Sequence, residues 1–565
     1  MVQKSVTVDE MVYITAGYQH LVTGEFDYNR TNPPLAKLVS ALPLVLLDLE
    51  LPDADGDPRA WTEIDQWHYG RAFLYENVAS ADTILGLARL PILIAGLLLG
   101  LYLYGFTRRE FGQAAALCAL TFYVFSPNLI AHSRLGTQDF LLSALVFVAA
   151  TTFWRLIERP SLRLALLSGG AVALSAATKT TAVFLVPILA LVLLIRVAGD
   201  SDAMRWAAIP TLGRLRSRRL QQVLSVVVLI ATYGLLTLLV LNAAYFFEGS
   251  GQPLSAYVPT DRLAGRLPEV LVPLASWPLP LPEGLIDLMR FQMGRVSGGH
   301  QIYFLGRLSN EGWWYMMPAA FLMKTPIAFQ VAAATGIWAS LRKKPFASSF
   351  ASVALIAIGV YLAGFSYLSS ISVGIRYILP IYPFLCVLAG TGIAALLSSR
   401  RVIFVAAGAS LLVWHAASAL FIYPHYLAYF NEAVGGPANG YKYLVDSYLD
   451  WGQDLPGLRE YMDEQQLENI NLGYFGSGDP SHYGIKYRSM PSVGLAPARD
   501  GAQWWYDRPE SDYPELQYPI AVSATLLGGV FVGDFYSELR HREPDAQIGY
   551  SILVFNEPQR TKDAP

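Results

Sequence analysis

Apolar segments of membrane-spanning length dominate this sequence, and they decide what the chain can fold into. A helix that crosses the hydrocarbon core of a bilayer needs about 20 mostly apolar residues. Charged residues make up only 15 % of the 565-residue chain, against about a quarter in soluble proteins, so we expect most of it to lie in lipid. The predicted spans are 85–106, 113–130, 139–156, 163–177, 180–196, 222–246, 314–340, 350–370, 376–397 and 402–422.

Basic residues occur in alternate loops between these segments, and this pattern predicts an orientation. Lys and Arg concentrate in the short loops that face the cytoplasm. One set of alternate loops carries Arg108–Arg109, Arg159 and Arg163, the run from Arg196 to Arg219, Arg342–Lys344 and Arg400–Arg401. The other loops are therefore predicted to face outward. They are 1–80, 128–138, 247–313 and 423–565.

Composition divides the chain into three predicted regions. Residues 1–80 form a first outer loop with interfacial helices, because the apolar stretch Leu35–Leu47 is too short for a span. Residues 81–422 form the transmembrane core and include the outer loop 247–313. Residues 423–565 are predicted to form a soluble extracytoplasmic α/β domain. Its predicted elements are a helix over Leu455–Gln466 and strands over Ile470–Phe475, Ile520–Leu526 and Ile548–Phe555.

The outward position of the first 80 residues requires a preceding membrane segment, and none is visible. Met1–Glu10 lacks the basic and apolar regions of a signal peptide. We therefore expect a first transmembrane helix upstream of Met1.

Charge and cysteine usage exclude two other classes of protein. The net charge of −3 gives no reason to expect nucleic acid as a partner. Cys118 and Cys386 both lie inside apolar runs, so they are expected to be core residues without a disulfide framework.

Acidic side chains at the predicted outer ends of helices are the first candidates for chemistry, because ionisable groups at membrane depth are costly. Asp9 and Glu10 begin an amphipathic segment, and Thr7 with Glu10 also fits a capping box. Asp139 stands where an outward loop enters a helix, a position that suits the helix dipole by itself. Capping and catalysis therefore both stay open for these carboxylates.

Basic side chains occur at the same predicted face. Lys179 lies at the outer turn between two short spans, where it can extend to the interface or pair with a lipid phosphate. Lys324 lies too deep in its helix for easy access to water, so we expect it to have a partner. Arg376 begins a helix, where a cation is unfavourable for the dipole and an anionic ligand is the more natural explanation. His300 lies in the outer loop nearby.

These residues indicate one kind of chemistry. A carboxylate can take a proton from an acceptor hydroxyl, and cations can stabilise the charge that grows on a departing phosphate. The phosphate of a lipid-linked sugar lies at this depth of the membrane. The sequence contains no P-loop, HExxH or Cys/His metal motif. The pattern therefore favours glycosyl transfer from a lipid carrier.

The order of the motifs resembles the GT-C class of polyprenyl- and dolichyl-phosphate-sugar-dependent glycosyltransferases, near the protein O-mannosyltransferases and aminoarabinose transferases of glycosyltransferase family 39. Asp9-Glu10 is similar to the Asp-Glu pair of that family's first outer loop. Asn32-Pro33-Pro34-Leu35 is similar to its His/Lys-Pro-Pro-Leu motif, with Asn in place of the cation or imidazole. The other matching segments are Arg134–Asp139, Lys179, Gly306–Pro326, Arg376–Pro380, Leu449–Leu455 and Gly549–Ile552.

The resemblance implies an inverting transferase in which Asp9 is the general base, while Glu10 and Asp139 orient the acceptor or the cations. It implies a polyprenyl-phosphate-linked sugar as donor, with mannose first, and a protein, lipid or glycan as acceptor. No cofactor is expected, with a divalent metal left open, and the expected location is a bacterial inner or plasma membrane. The residues expected to bind substrate or phosphate are Lys37, Arg134, Lys179, His300, Lys324, Arg376 and Tyr377.

Two other classes stay open at this point. A secondary transporter would also have many spans, but it often shows two repeated halves, which are not visible here. Its charges would also not collect at one face. A non-catalytic assembly protein would use the outer tail for binding, and the acidic pair Asp9-Glu10 argues against it.

Overall fold

Long apolar helices form most of this protein, whose computed structural model describes residues 3–52, 65–199, 217–257, 276–298, 300–343, 349–371, 373–493, 511 and 513–557. Within these ranges, seven helices are long and apolar enough to cross a membrane, or up to nine spans exist if two bent helix pairs are included. The protein is thus a polytopic membrane protein, as its composition predicts.

The described part of the amino-terminal half contains ten α-helices. Three of them lie within residues 1–80, and the others begin the bundle. They are α1 (Val8–Thr23), α2 (Leu35–Ala41), α3 (Asp65–Tyr75), α4 (Ala81–Phe111), α5 (Gln113–Val124), α6 (Pro127–Ser133), α7 (Gln138–Glu158), α8 (Leu162–Thr178), α9 (Leu185–Gly199) and α10 (Arg218–Ala244).

The second half completes the bundle and ends in a tail with short helices. Its helices are α11 (Leu254–Tyr257), α12 (Glu283–Gly298), α13 (Met316–Lys324), α14 (Ile327–Lys343), α15 (Phe350–Tyr367), α16 (Tyr382–Leu397), α17 (Val402–Phe421), α18 (Leu455–Glu464), α19 (Ala524–Leu527) and α20 (Ser537–Arg540).

Each predicted span coincides with helix, but 163–177 is the shorter helix α8, which is not among the seven long spans, and two other predicted spans are bent. The predicted span 113–130 is the pair α5 and α6, and the chain bends by 65° between them. The predicted span 314–340 is the pair α13 and α14, and the chain bends by 109° between them. Pro127 and Pro326 stand at these breaks, and proline both lacks an N–H donor and disfavours helical geometry in the residue before it. The basic residues predicted at 200–216 and at 344 lie outside the described part of the chain.

The first outer segment is folded tightly against the bundle. Residues Glu10–His20 of α1 are almost all buried, and Gly17 lets α2 approach, because a Cβ there would lie 2.1 Å from the carbonyl oxygen of Lys37. The predicted interfacial stretch forms α2 and a 3-10 helix over Leu42–Leu47. Leu46 on this helix is 87 % exposed, which agrees with contact to a lipid interface.

The outer loop 247–313 contains a β-hairpin in addition to the helices α11 and α12. Strands β1 (Ile302–Phe304) and β2 (Arg307–Ser309) pair antiparallel. Phe304 forms a β-bridge with Leu444, so the loop is joined to the tail. Residues 258–275 of this loop lie outside the described ranges.

The tail contains a five-stranded sheet, which confirms its predicted α/β character. The strand order is β4-β3-β5-β7-β6, with β3 parallel to both of its neighbours and β7 antiparallel to both of its own. The predicted run Ile520–Leu526 divides into β5 and α19, and Ile548–Phe555 contains the turn between β6 and β7. The strands are β3 (Ile470–Gly473), β4 (Tyr487–Ser489), β5 (Ile520–Ser523), β6 (Ala546–Ile548) and β7 (Ile552–Phe555).

One apolar core runs from the helix bundle into the tail. A single cluster of buried side chains includes Phe140 of α7, Leu449 of the tail loop and Leu553 of β7. The sheet therefore packs on one end of the bundle, and the division at residue 423 stays a prediction.

Candidate active site

A cavity of about 640 Å³ lies between α1, α3 and the tail. Cavities of this size are typical of sites for small organic ligands. Aromatic rings and charged groups share its wall, so it can present both apolar faces and hydrogen-bonding groups to a ligand. Its ionisable residues are Asp9, His68, Arg71, Glu76, His300, Arg376 and Asp446, together with Tyr487, and its other aromatic residues are Trp67, Trp451, Phe475 and Phe531.

An ion pair between Asp9 and Arg376 stands in this wall. Asp9 lies in the first turn of α1, and its Oδ2 is 2.5 Å from Nη1 of Arg376. Arg376 lies in the 3-10 helix Ile375–Ile381 that leads into α16. Its guanidinium carbon is 4.4 Å from the ring centre of Trp451 and 5.4 Å from that of Tyr377. The cation is thus held between aromatic faces, with one carboxylate beside it.

A second ion pair adjoins the first through Tyr377. Lys179 follows α8, and its Nζ is 2.5 Å from Oδ1 of Asp139 in the first turn of α7. The same Nζ lies 4.8 Å from the ring centre of Tyr377. Tyr377 therefore contacts the cations of both pairs. The structure brings together five of the predicted site residues: Asp9, Arg376, Asp139, Lys179 and Tyr377. Two of these, Asp9 and Arg376, are among the described residues that line the cavity.

Glu10 points away from the cavity, toward α4. Its carboxylate receives two bonds from Arg89, at 2.7 and 2.8 Å, and a third from the backbone N–H of Gly136 at 2.7 Å. It also accepts the backbone N–H of Thr7, which forms the predicted capping box. Burial alone would raise the pKa of Glu10, but the charge and hydrogen bonds of Arg89 hold this pKa below its ordinary value. These contacts indicate a structural role for Glu10.

Lys324 has the buried partner that its depth predicts, but the partner is the tail backbone. Its Nζ donates to the carbonyl oxygens of Leu427 at 2.8 Å and Tyr448 at 2.5 Å. The side chain is fully buried and does not line the cavity within the described part of the chain. The predicted contact of Lys324 with phosphate is therefore not supported by its position.

Lys37 and Arg134 are likewise directed at backbone carbonyls. Lys37 Nζ donates to Asn29 at 2.5 Å and to Asn32 at 3.1 Å, and burial lowers the pKa of Lys37 to about 7. Arg134 donates to the carbonyl of Pro424 at 2.9 Å. Neither is among the described residues that line the cavity, so both hold loops in place.

His300 lines the cavity, as predicted, but it faces a carboxylate. Its Nε2 is 3.8 Å from Oδ2 of Asp446, and its ring meets Phe531 edge-on at 5.3 Å. Burial would raise the pKa of Asp446, but the neighbouring His300 and a hydrogen bond from the backbone N–H of Ser447 hold it below its ordinary value. Asp446 could not be singled out from the sequence, because an Asp-Ser pair in a loop carries no motif.

Helix α3 supplies cavity residues that the sequence also did not single out. Arg71 and Glu76 both line the cavity, and Arg71 pairs with Asp479 of the tail at 2.8 Å. The polar composition of this segment within the outer loop was the available signal. It indicates an exposed helix as readily as a binding site.

Buried Asp450 in the tail gives a testable pH dependence. It accepts the backbone N–H of Thr525 at 3.0 Å and that of Gly452 at 3.4 Å, and burial raises its pKa to about 7. The folded protein therefore keeps this proton up to about pH 7, whereas the unfolded chain loses it near pH 4. The resulting stabilisation is complete below about pH 4 and is lost as the pH rises to about 7.

We expect Asp450→Asn to remove this dependence. The midpoint of thermal denaturation of the wild type, relative to that of the variant, should fall as the pH is raised from about 4.5 to about 7.5. Taking the difference cancels the contribution of histidines that titrate in the same range. A difference that stays constant across this range would show that Asp450 is ionised throughout.

A metal site in a protein needs several His, Cys, Asp or Glu side chains close together. Among the described residues, no group of three or more His, Cys, Asp or Glu side chains is placed to hold a metal ion. The absence of a cofactor stays a prediction.

Part of this chain is similar to a described protein family. Residues 85–211 match the family described as dolichyl-phosphate-mannose-protein mannosyltransferase. No protein with a curated function matches the chain significantly.

Solved structures of two membrane transferases are similar at low identity. One is ArnT from Cupriavidus metallidurans bound to undecaprenyl phosphate, at 14 % identity and a TM-score of 0.44, covering 97 % of this chain and 94 % of that one. Another is the oligosaccharyltransferase AglB from Archaeoglobus fulgidus with an inhibitory peptide and a dolichol-phosphate, at 14 % identity and a TM-score of 0.42. That match covers 74 % of this chain and spans about half, 52 %, of AglB. The family match over residues 85–211, which contain Asp139 and Lys179, confirms the resemblance to GT-C class glycosyltransferases.

Proposed function

We propose that this protein transfers a glycosyl group from a polyprenyl-phosphate carrier to a hydroxyl acceptor at the outer face of the membrane, with inversion at the anomeric carbon. The observation that carries the proposal is the Asp9–Arg376 pair in the wall of the cavity. It places a base and a cation side by side, and this reaction needs both. The family match over 85–211 supports the same chemistry.

The proposed step is a single displacement. The acceptor oxygen attacks the anomeric carbon and passes its proton to the carboxylate of Asp9. The bond between that carbon and the phosphate oxygen breaks, and the electron pair leaves with the polyprenyl phosphate. Arg376 stabilises the departing anion from within the cavity, and Lys179, which contacts the same Tyr377 ring, adds positive charge nearby.

Donor binding also prepares Asp9 for its role. In the structure Arg376 donates to Oδ2 of Asp9, so the cation engages one oxygen of this carboxylate. A phosphate bound to the guanidinium competes for the same donors, because guanidinium bonds carboxylates and phosphates alike. Asp9 is then directed at the acceptor.

The finer features of the function rest on the family description. We propose mannose as the sugar, because the matching family is described as transferring it from dolichyl phosphate to protein. A protein Ser/Thr, a lipid and a glycan are all candidates for the acceptor. The proposed location is a bacterial inner or plasma membrane, with the cavity and the tail outside the cytoplasm.

A transfer assay tests the proposal. The purified protein in lipid is incubated with radiolabelled polyprenyl-phosphate sugars and an extract of membranes and periplasm, and label in the acceptor is measured. We expect transfer from at least one donor, and Arg376→Gln should raise the donor KM about tenfold or more, because a charge-assisted bond to phosphate is lost. Absence of transfer from every donor, in a preparation that also fails to bind polyprenyl phosphate, would reject the proposal.

A further inference from the structure

The tail loop Asp450–Asp454 runs directly along the chain that leads into α1. The backbone N–H of Ser5 donates to Gln453 at 3.0 Å, and that of Val8 donates to Trp451 at 3.0 Å. The hydroxyl of Ser5 donates to the carbonyl of Gly452 at 2.8 Å. These bonds fix the backbone up to the residue before Asp9.

A buried ion pair fastens the same contact at its far end. Lys4 pairs with Asp454, and both side chains are less than one-tenth exposed. Asp454 also accepts the hydroxyl of Ser551 at 2.6 Å. Gly549 covers this carboxylate so closely that a Cβ would lie 2.2 Å from its Cγ, and the φ of +58° at Gly549 favours glycine as well. The tail segments 449–455 and 549–552 therefore meet at one anchor.

Trp451 contacts both sides of the Asp9–Arg376 pair. Its carbonyl holds Val8, which precedes Asp9, and its ring lies 4.4 Å from the guanidinium carbon of Arg376. The side chain is 1 % exposed, so its ring has little freedom to move. Trp451 thus holds the backbone next to Asp9 and also provides the aromatic face that Arg376 contacts.

We propose that Trp451, carried by the loop 450–454, is a positioning residue that sets the geometry of the Asp9–Arg376 pair, so that the tail is part of the active site. This inference rests on the proposed glycosyl transfer. A displacement of about 1 Å at a reacting group can lower a rate about a hundredfold. A loop that only attached the tail to the bundle would need neither the aromatic ring on Arg376 nor the bond to Val8.

Two substitutions at one site separate positioning from folding. Trp451→Phe keeps an aromatic face for Arg376, whereas Trp451→Leu removes it and retains an apolar side chain. We expect Trp451→Leu to lower kcat about a hundredfold and Trp451→Phe to stay within about tenfold of the wild type. Trp277→Leu, at a tryptophan that is 66 % exposed, is the matched control and should behave as the wild type.

A second measurement does not depend on turnover. Hydrogen–deuterium exchange over residues 4–12 should become faster in Trp451→Leu and stay slow in Trp451→Phe and in Trp277→Leu. If the wild type neither transfers sugar nor binds polyprenyl phosphate but exchange responds in this way, the proposed function fails and the anchoring stands. Wild-type kcat in Trp451→Leu, equal losses of kcat in the Phe and Leu variants, or unchanged exchange in Trp451→Leu would each overturn the inference.

Discussion

Asp9→Asn is expected to lower the rate of glycosyl transfer about a thousandfold while the protein stays folded. General base catalysis contributes about a hundredfold to ten-thousandfold, and an amide cannot take the proton of the acceptor. The amide oxygen can still accept a bond from Arg376, and this buried cation also keeps the carbonyl of Val373 and its aromatic neighbours as partners. The donor KM should change much less than kcat, because the phosphate contacts Arg376 in the proposed complex.

A matched control for this variant is Glu25→Gln. Glu25 is an exposed carboxylate that follows the same helix, and it does not line the cavity as described. Steady-state transfer from the labelled donor, together with the midpoint of thermal denaturation, compares the two variants. A turnover of Asp9→Asn within tenfold of the wild type would remove Asp9 from the role of general base and direct attention to Asp446 on the same cavity wall.

The substitution of Arg89 by methionine is expected to have the largest effect on stability. Arg89 is 2 % exposed and Glu10 is fully buried, and the two form a bidentate pair. Arg89 also donates to the carbonyls of Lys4 at 3.2 Å and Ser5 at 3.1 Å. Removing one member of a buried ion pair costs about 3–5 kcal/mol, because the other charge is left without its partner.

The double variant Glu10→Gln with Arg89→Met tests this explanation. It removes both charges, so its midpoint of thermal denaturation in detergent should lie above that of Arg89→Met. The recovery is expected to be partial, since Gly136 and Thr7 donate to the Glu10 carboxylate and an amide accepts fewer bonds. For each variant, transfer per folded molecule should stay close to the wild-type value. A stable Glu10→Gln protein that had lost turnover would instead show that Glu10 acts in the reaction.

Much of the architecture follows from local properties of the sequence. The apolar segments predict the positions of the spans, because burying the backbone in lipid requires continuous helix. The runs of apolar residues predict three strands of the tail, β3, β5 and β7, whereas β4 and β6 were not predicted as separate strands. The bends at Pro127 and Pro326 were not predicted, because proline does not break a helix at every position: Pro91 lies inside the continuous helix α4.

Local sequence properties could not predict which charged side chains line the cavity. Asp9 and Glu10 are neighbours with the same local fit to a helix start, yet one lines the cavity and the other binds Arg89. Successive side chains on a helix point about 100° apart, so the position of the helix in the fold decides which of them meets a ligand. A sequence pattern does not contain that position.

Lys324 shows the same limit for a cation. Its depth in a helix correctly predicts a buried partner, but the partners are carbonyls of Leu427 and Tyr448, more than a hundred residues away. Every residue has such a carbonyl, so no sequence signal marks these two. By itself the sequence determined the membrane fold, the α/β tail and the chemical types available at one face. Only the tertiary structure decided which charges meet in the cavity. Long-range packing brings α1, α3, the 3-10 helix before α16 and the tail together around it.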